Sequence, residues 1–251
     1  MIWIFSLITA VIAYLLGSIN SGIIISKLIS GKDIRQSGSG NAGATNMLRT
    51  HGKKAGILTL LCDMLKGVIA VLVALLIGFI VKNNINPPDY LDTMESMITP
   101  TLFGKNISDF QLGWILPNFK YIAGLFVVLG HIFPIFFGFK GGKGIATSGA
   151  VVLMLNWKVG LVILVLALII MAVTRYVSLG SVLSAAAYPV ISCGYLLGTG
   201  DFTGNTSVAV AQMIFSVVLA FICIYKHKAN IKRLLAGEES KLGQKKSDKE
   251  A

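Results

Sequence analysis

Ser37 to Arg49, SGSGNAGATNMLR, puts Ser39, Asn41, Thr45, Asn46 and Arg49 within eleven residues, with Gly40 and Gly43 between them. Hydroxyls and amides supply hydrogen bonds, and an arginine can grip a phosphate through two parallel ones. A second stretch, FKGGKGIATS from Phe139 to Ser148, sets Gly141, Gly142 and Gly144 around Lys143. Glycine backbone can curl so that its N–H groups converge on an oxyanion, and a following helix adds its positive end. A tight turn between helices would need the same glycines. Two anion-holding elements imply two anionic groups, one of which lipid headgroups on basic loops would equally explain. The Walker pattern does not fit, because no glycine stands five positions before the Gly-Lys pair and Gly144 follows Lys143, so nucleotide hydrolysis is disfavoured.

The third stretch is HKANIKRLLAGEE from His227, where His227, Asn230 and Leu234 share one helical face with Ile231 beside it. Such a helix can lie on the membrane and turn polar groups toward the other loops; a polybasic lipid anchor is the alternative. His51 and His131 sit in contexts where a histidine is usually packed or solvated. Asp63 and Lys66, spaced i,i+3 in an apolar run, can pair along a helix and are read mainly as support for the site. Cys62, Cys193 and Cys223 have no CxxC spacing, which argues against a disulfide framework and a zinc site.

The elements that must position these groups are membrane spans. With 55% hydrophobic and 13% charged residues among 251, the chain is too apolar for a soluble core. Charge-free runs are long enough for helices crossing hydrocarbon, which need about 20 residues. The expected fold is all-α, a polytopic bundle of about seven spans at 2–28, 55–81, 120–139, 144–157, 159–175, 177–198 and 205–225. No basic residue precedes the first run and no small-residue cleavage site follows it, so it reads as a retained span. Spans four and five, at about 21 and 24 Å if helical, are short enough to form a re-entrant hairpin instead.

Most of the 22 basic residues fall between Lys27 and Lys54, at Lys140 and Lys143, at Arg175, and from Lys226 onward. The positive-inside rule places these on the cytoplasmic side, with the N-terminus outside and the C-terminus in the cytoplasm. A single transmembrane domain is expected over 1–235, with a long external loop at about 82–118 rich in Pro and acidic residues, followed by a charged tail over 236–251. All three polar stretches, with Arg175 and Ser181, then face one side.

In that order and over nearly the whole chain, SGSGNAGATNMLRTHGKKAG, DMLKG, GHIFPIFFGFKGGKGIAT and HKANIKRLLAGEE resemble the bacterial acyl-phosphate:glycerol-3-phosphate acyltransferases, the PlsY family. The resemblance implies a seven-helix membrane enzyme of the bacterial inner membrane. It would move a fatty acyl group from acyl phosphate to the 1-position of glycerol 3-phosphate, giving lysophosphatidic acid and phosphate. It assigns activity to Ser39, Arg49, Lys143, His227 and Asn230, names Ser181 as a further site serine, and gives Glu238 a structural role. Two departures stand out: the external loop is longer than the family's, and AGEE replaces the more frequent Gly-Thr-Glu ending.

No cofactor, metal or nucleic acid is called for, because acyl phosphate is an activated anhydride; positioning and charge do the work. Membrane lipids are neighbours, and an acyl-phosphate-producing enzyme is a partner to test. Among side chains His227 is the plausible base, with direct proton transfer to a substrate phosphate as its rival. A serine acyl-enzyme lacks its G-x-S-x-G elbow. The H-x4-D signature of thioester-using acyltransferases is also missing, since Gly56, Phe136 and Lys232 stand five residues after the three histidines. A transporter of phosphorylated solutes would show repeat symmetry and midplane polar residues. A lipid-binding protein would not need this set of side chains.

Overall fold

The computed structural model describes residues 2–84, 118–204 and 206–243, which are helical apart from short connections. The loop expected over 82–118 lies, from 85 to 117, outside the described residues, as does the tail from 244.

The first apolar run is divided into α1 (Ile2–Ser18) and α2 (Ser21–Ser30). Asn20 makes the break: its backbone is extended and its side chain accepts the Ile23 N–H at 3.1 Å, capping α2. Helix α3 (Ala44–Asn84) starts inside the first polar stretch and is offset at Gly52, where φ 84° and ψ −178° interrupt the helix. Few L-residues adopt that left-handed φ. The end of the polar stretch therefore rides on a short helical piece bent away from the span behind it.

Helix α4 (Phe119–Ile132) lies at the bundle centre, with Ala123, Val127, Val128 and Ile132 wholly buried. It crosses α1 at Gly17 and Gly130. A Cβ on Gly17 would lie 2.1 Å from the Val127 carbonyl oxygen, and one on Gly130 2.2 Å from that of Tyr14, so the two backbones touch as small residues permit in membranes.

Helices α5 (Ile145–Leu155) and α6 (Trp157–Thr174) meet at Asn156. Its N–H closes α5 on the Val152 carbonyl at 3.0 Å, and its side chain caps α6 by accepting the Val159 N–H at 3.3 Å. Then follow α7 (Val177–Thr199), α8 (Asp201–Gly204), α9 (Thr206–Lys226) and α10 (Lys228–Leu235).

Among the described residues six stretches are long and apolar enough to cross a membrane: Trp3–Ser30, Ala44–Val81, Phe119–Phe137, Trp157–Thr174, Val177–Thr199 and Thr206–Lys226. The stretch expected over 144–157, as a span or as one arm of a re-entrant hairpin, is α5, whose 11 residues rise about 16 Å against a hydrocarbon core of about 30 Å. With α6 it leaves and returns to one face, since Lys143 before it bonds Asn230 and Arg175 after α6 bonds Leu242. Its apolarity serves burial, with Val151 and Val152 inside the bundle, whereas α6 presents Leu161, Val165, Leu168 and Ile169 outward.

The boundary expected at 236 does not mark the end of packing. Leu242 N–H donates to the Arg175 carbonyl at 2.7 Å, Arg175 Nη2 donates to the Leu242 carbonyl at 3.0 Å, and Glu239 is buried.

Candidate active site

In the first polar stretch Asn46 is the organiser. Its Oδ1 accepts the Ser39 N–H at 2.9 Å, while Nδ2 donates to the carbonyls of Ser37 and Asn41, both at 2.9 Å, and of Ile34 at 3.3 Å. Both amide protons are thereby spent on the loop, which corrects the expectation that Asn46 donates to substrate. The folded loop turns Ser39, Asn41, Gly43, Thr45 and Arg49 toward a cavity. Arg35 ties this loop to the second stretch: its guanidinium pairs with Asp33 at 2.7 Å and donates to the carbonyls of Phe137 and Lys140, both at 2.8 Å. His51 is a packing residue, with Nε2 at 3.1 Å from Ser30 Oγ and Nδ1 at 2.9 Å from Thr50 Oγ1.

The glycine loop differs from the expected phosphate nest. Gly141 N–H donates to the Ile132 carbonyl at 3.1 Å and Gly142 N–H to that of His131 at 3.2 Å, so both complete the exposed end of α4 rather than face a ligand. Gly40 and Gly141 line a separate surface depression with Asp33, Arg35 and Lys140, and Gly142 is buried against His131. What remains for an anion is the first turn of α5, opening at Gly144, and the Lys143 ammonium.

Lys143 Nζ donates to Asn230 Oδ1. Asn230 Nδ2 donates in turn to Glu239 Oε1 at 2.7 Å, and Arg233 Nε to Glu239 Oε2 at 2.7 Å. Arg49 reaches the same corner, with Nη2 3.4 Å from the Ser240 carbonyl. Burial pushes the Lys143 pKa down to about 8; Glu239 opposes that shift, while Arg233 and Arg49 add to it. Burial disfavours the Glu239 carboxylate, but hydrogen bonds from Asn230 and Arg233 outweigh it and hold the group below its usual range.

The acid that braces this corner is Glu239; Glu238, to which the resemblance gave a structural role, has an exposed side chain and does not line the cavity. Counting Gly237 as the glycine of the Gly-Thr-Glu ending puts its acid at 239, a signal the sequence already carried. Arg233 and the Ser240 carbonyl went unread because their roles depend on the chain folding back.

His227 is buried, with Nδ1 2.7 Å from the Cys223 carbonyl one turn earlier. A carbonyl only accepts, so Nδ1 carries the proton and Nε2 offers a lone pair. Burial first, then Lys143, push its pKa down to about 4 against the pull of the Cys223 carbonyl and Glu239.

These side chains gather at one end of a cavity of about 530 Å³. Ser181 also lines it, with its hydroxyl turned to the Val177 carbonyl at 2.9 Å. The rest of the wall is apolar, supplied by residues such as Leu60, Met64, Leu153, Leu164 and Leu219 from α3, α5, α6 and α9. Asp63 and Lys66 lie behind the wall, paired at 3.1 Å. Among the described residues no three His, Cys, Asp or Glu side chains converge as metal ligands would.

The family model for glycerol-3-phosphate acyltransferases matches residues 7–237. The glycerol-3-phosphate acyltransferase of Clostridioides difficile (strain 630) is 41% identical over 240 residues, covering 96% of this chain and 97% of its own length. That of Trichormus variabilis is 37% identical over 236 residues, covering 94% and 91%. The crystal structure of PlsY, an integral membrane glycerol 3-phosphate acyltransferase, in its glycerol 3-phosphate form superposes with a TM-score of 0.69 at 36% identity, covering 95% of this chain and 96% of that one. Its lysophosphatidic acid form gives 0.66 at 34% identity, covering 95% of each chain.

Proposed function

The chain belongs to the glycerol-3-phosphate acyltransferase family, that of PlsY, and from that membership we propose that it transfers a fatty acyl group from acyl phosphate to the 1-hydroxyl of glycerol 3-phosphate. One observation carries the reading: Arg49, Lys143 and His227 meet at the polar end of a cavity that is otherwise apolar. An acyl phosphate has that shape, an anionic head on a hydrocarbon tail, and the second cationic group leaves a place for the phosphate of the acceptor.

Lys143 and the first turn of α5 hold one phosphate; Arg49, beside Ser39, Asn41 and Thr45, holds the other. Held so, the acceptor hydroxyl oxygen meets the acyl carbonyl carbon. A carbon–oxygen bond forms, the carbon–oxygen bond to phosphate breaks, and phosphate departs with the electron pair while Lys143 balances its charge. An imidazole with a pKa near 4 is a poorer base than a phosphate whose second pKa is about 6. His227 therefore orients the hydroxyl through its Nε2 lone pair, and the proton passes to a phosphate oxygen. Asn230, backed by Glu239, aims the Lys143 ammonium.

By the positive-inside rule the basic residues of the polar stretches support a cavity mouth in the cytoplasm and an N-terminus outside, and the family membership supports residence in the bacterial cell membrane. Purified protein in liposomes, given palmitoyl phosphate and labelled glycerol 3-phosphate, should yield 1-palmitoyl lysophosphatidic acid and one equivalent of phosphate. Phosphate release without the lipid product would refute the proposal.

A further inference from the structure

We propose that His131 is a positioning residue for the Gly141–Gly144 loop: its imidazole, braced by Asp63, is the strut that sets the loop's curvature and with it the place of the phosphate beside Lys143. The inference rests on the acyltransferase reading only in taking the bound anion to be a substrate phosphate.

The loop is moulded on the ring. A Cβ on Gly142 would lie 2.2 Å from His131 Nε2, and one on Gly141 2.0 Å from the His131 carbonyl oxygen. The N–H groups of both glycines end on the carbonyls of His131 and Ile132. His131 is 3% exposed, and its ring reaches the cavity wall.

Behind the ring, Nδ1 stands 3.5 Å from Asp63 Oδ1. That carboxylate accepts from Ser21 Oγ at 2.5 Å and pairs with Lys66, which also donates to the carbonyls of Gly17 and Ile19 at 3.1 and 2.9 Å. Beyond the loop, Thr147 Oγ1 donates to the Asp63 carbonyl at 2.9 Å. The loop is thus fixed at its start by His131, under Gly142 by the ring, and at the first turn of α5 by Asp63. A buried carboxylate is costly in a membrane domain. Here it roots the anion loop in the α1–α2 break and in α3, while staying behind the cavity wall itself. An apolar ring of the same size would fill the space under Gly142 but lack a polar Nδ1 facing the Asp63 carboxylate 3.5 Å away.

The test measures inorganic phosphate binding to the full chain in detergent, together with steady-state kinetics, for wild type, His131→Ala, His131→Gln, Gly142→Ala and the His131→Ala/Gly142→Ala double variant. The expected result for His131→Ala is phosphate binding weakened about tenfold or more, and a similar rise in KM for one of the two substrates, because an anchor displaced by about an ångström loses its alignment. The KM of the other substrate should change less than about threefold. Gly142→Ala should show the same defect, and the double variant should be no worse than His131→Ala, since the added methyl then meets open space. His131→Gln, which keeps a polar group near Asp63, should recover much of the binding and serves if His131→Ala does not fold.

Phosphate binding and KM values within twofold of wild type in both His131 variants would overturn the strut, as would strictly additive losses in the double variant. Should wild type transfer no acyl group yet bind phosphate in a His131-dependent way, the strut stands and the acyltransferase reading falls. Should transfer proceed with phosphate binding indifferent to His131, the reverse holds.

Discussion

The Lys143–Asn230–Glu239–Arg233 relay couples a half-buried ammonium to a buried carboxylate through one amide. Removing the carboxylate leaves Asn230 free to turn and Lys143 without its counter-charge. Glu239→Ala should accordingly lower kcat/KM by about 10- to 100-fold. The pH profile follows from the same corner. Lys143 loses its charge as pH rises through about 8, so kcat/KM should fall there. On the acid side the limb should sit near the substrate phosphate, at about 6, and not at the imidazole's ordinary 6.5 or the lowered value near 4. His227→Asn should lower the rate yet leave that limb in place; its disappearance would make His227 the base. Residue types were legible from sequence, whereas the spending of the Asn46 amide on its own loop was not, because four backbone partners converge on it only after folding.

At the scale of elements, the site depends on helices whose backbones touch and on loops tied across the bundle. Gly130→Ala would press a methyl into the Tyr14 carbonyl and force α1 and α4 apart, at a cost of about 1–3 kcal/mol. Gly194→Ala in α7 meets no atom within 4 Å and should be neutral or stabilising, by up to about 1 kcal/mol. Thermal denaturation in detergent should separate the two, with the midpoint lowered only for Gly130→Ala. Most spans were readable because absence of charge over a sufficient length has one physical meaning in a bilayer. The Gly52 offset was not, since a glycine there fits a straight helix as well as a bend. α5 is as short as its sequence run implied, at 11 residues, but apolarity alone does not distinguish facing lipid from facing the bundle, so the sequence left a span and a hairpin arm both open.

For the whole molecule, the polar stretches come from sequence-distant loops and meet at one cavity end, while the apolar remainder lies among α3, α5, α6, α7 and α9. An enzyme so built can leave the acyl chain among membrane helices and bring only the reacting head to the polar end. The basic loops identified the face, but the folding back of residues 239–242 over it needed the three-dimensional structure, because Arg175 and Leu242 are far apart in the chain. The measurement that bears most directly on this account is the initial rate of lysophosphatidic acid formation by the purified, reconstituted protein, with palmitoyl phosphate and palmitoyl-CoA offered separately at equal concentration. Product from the phosphate donor, abolished by Lys143→Ala, and none above background from the thioester is the predicted result; equal or faster transfer from palmitoyl-CoA would contradict it.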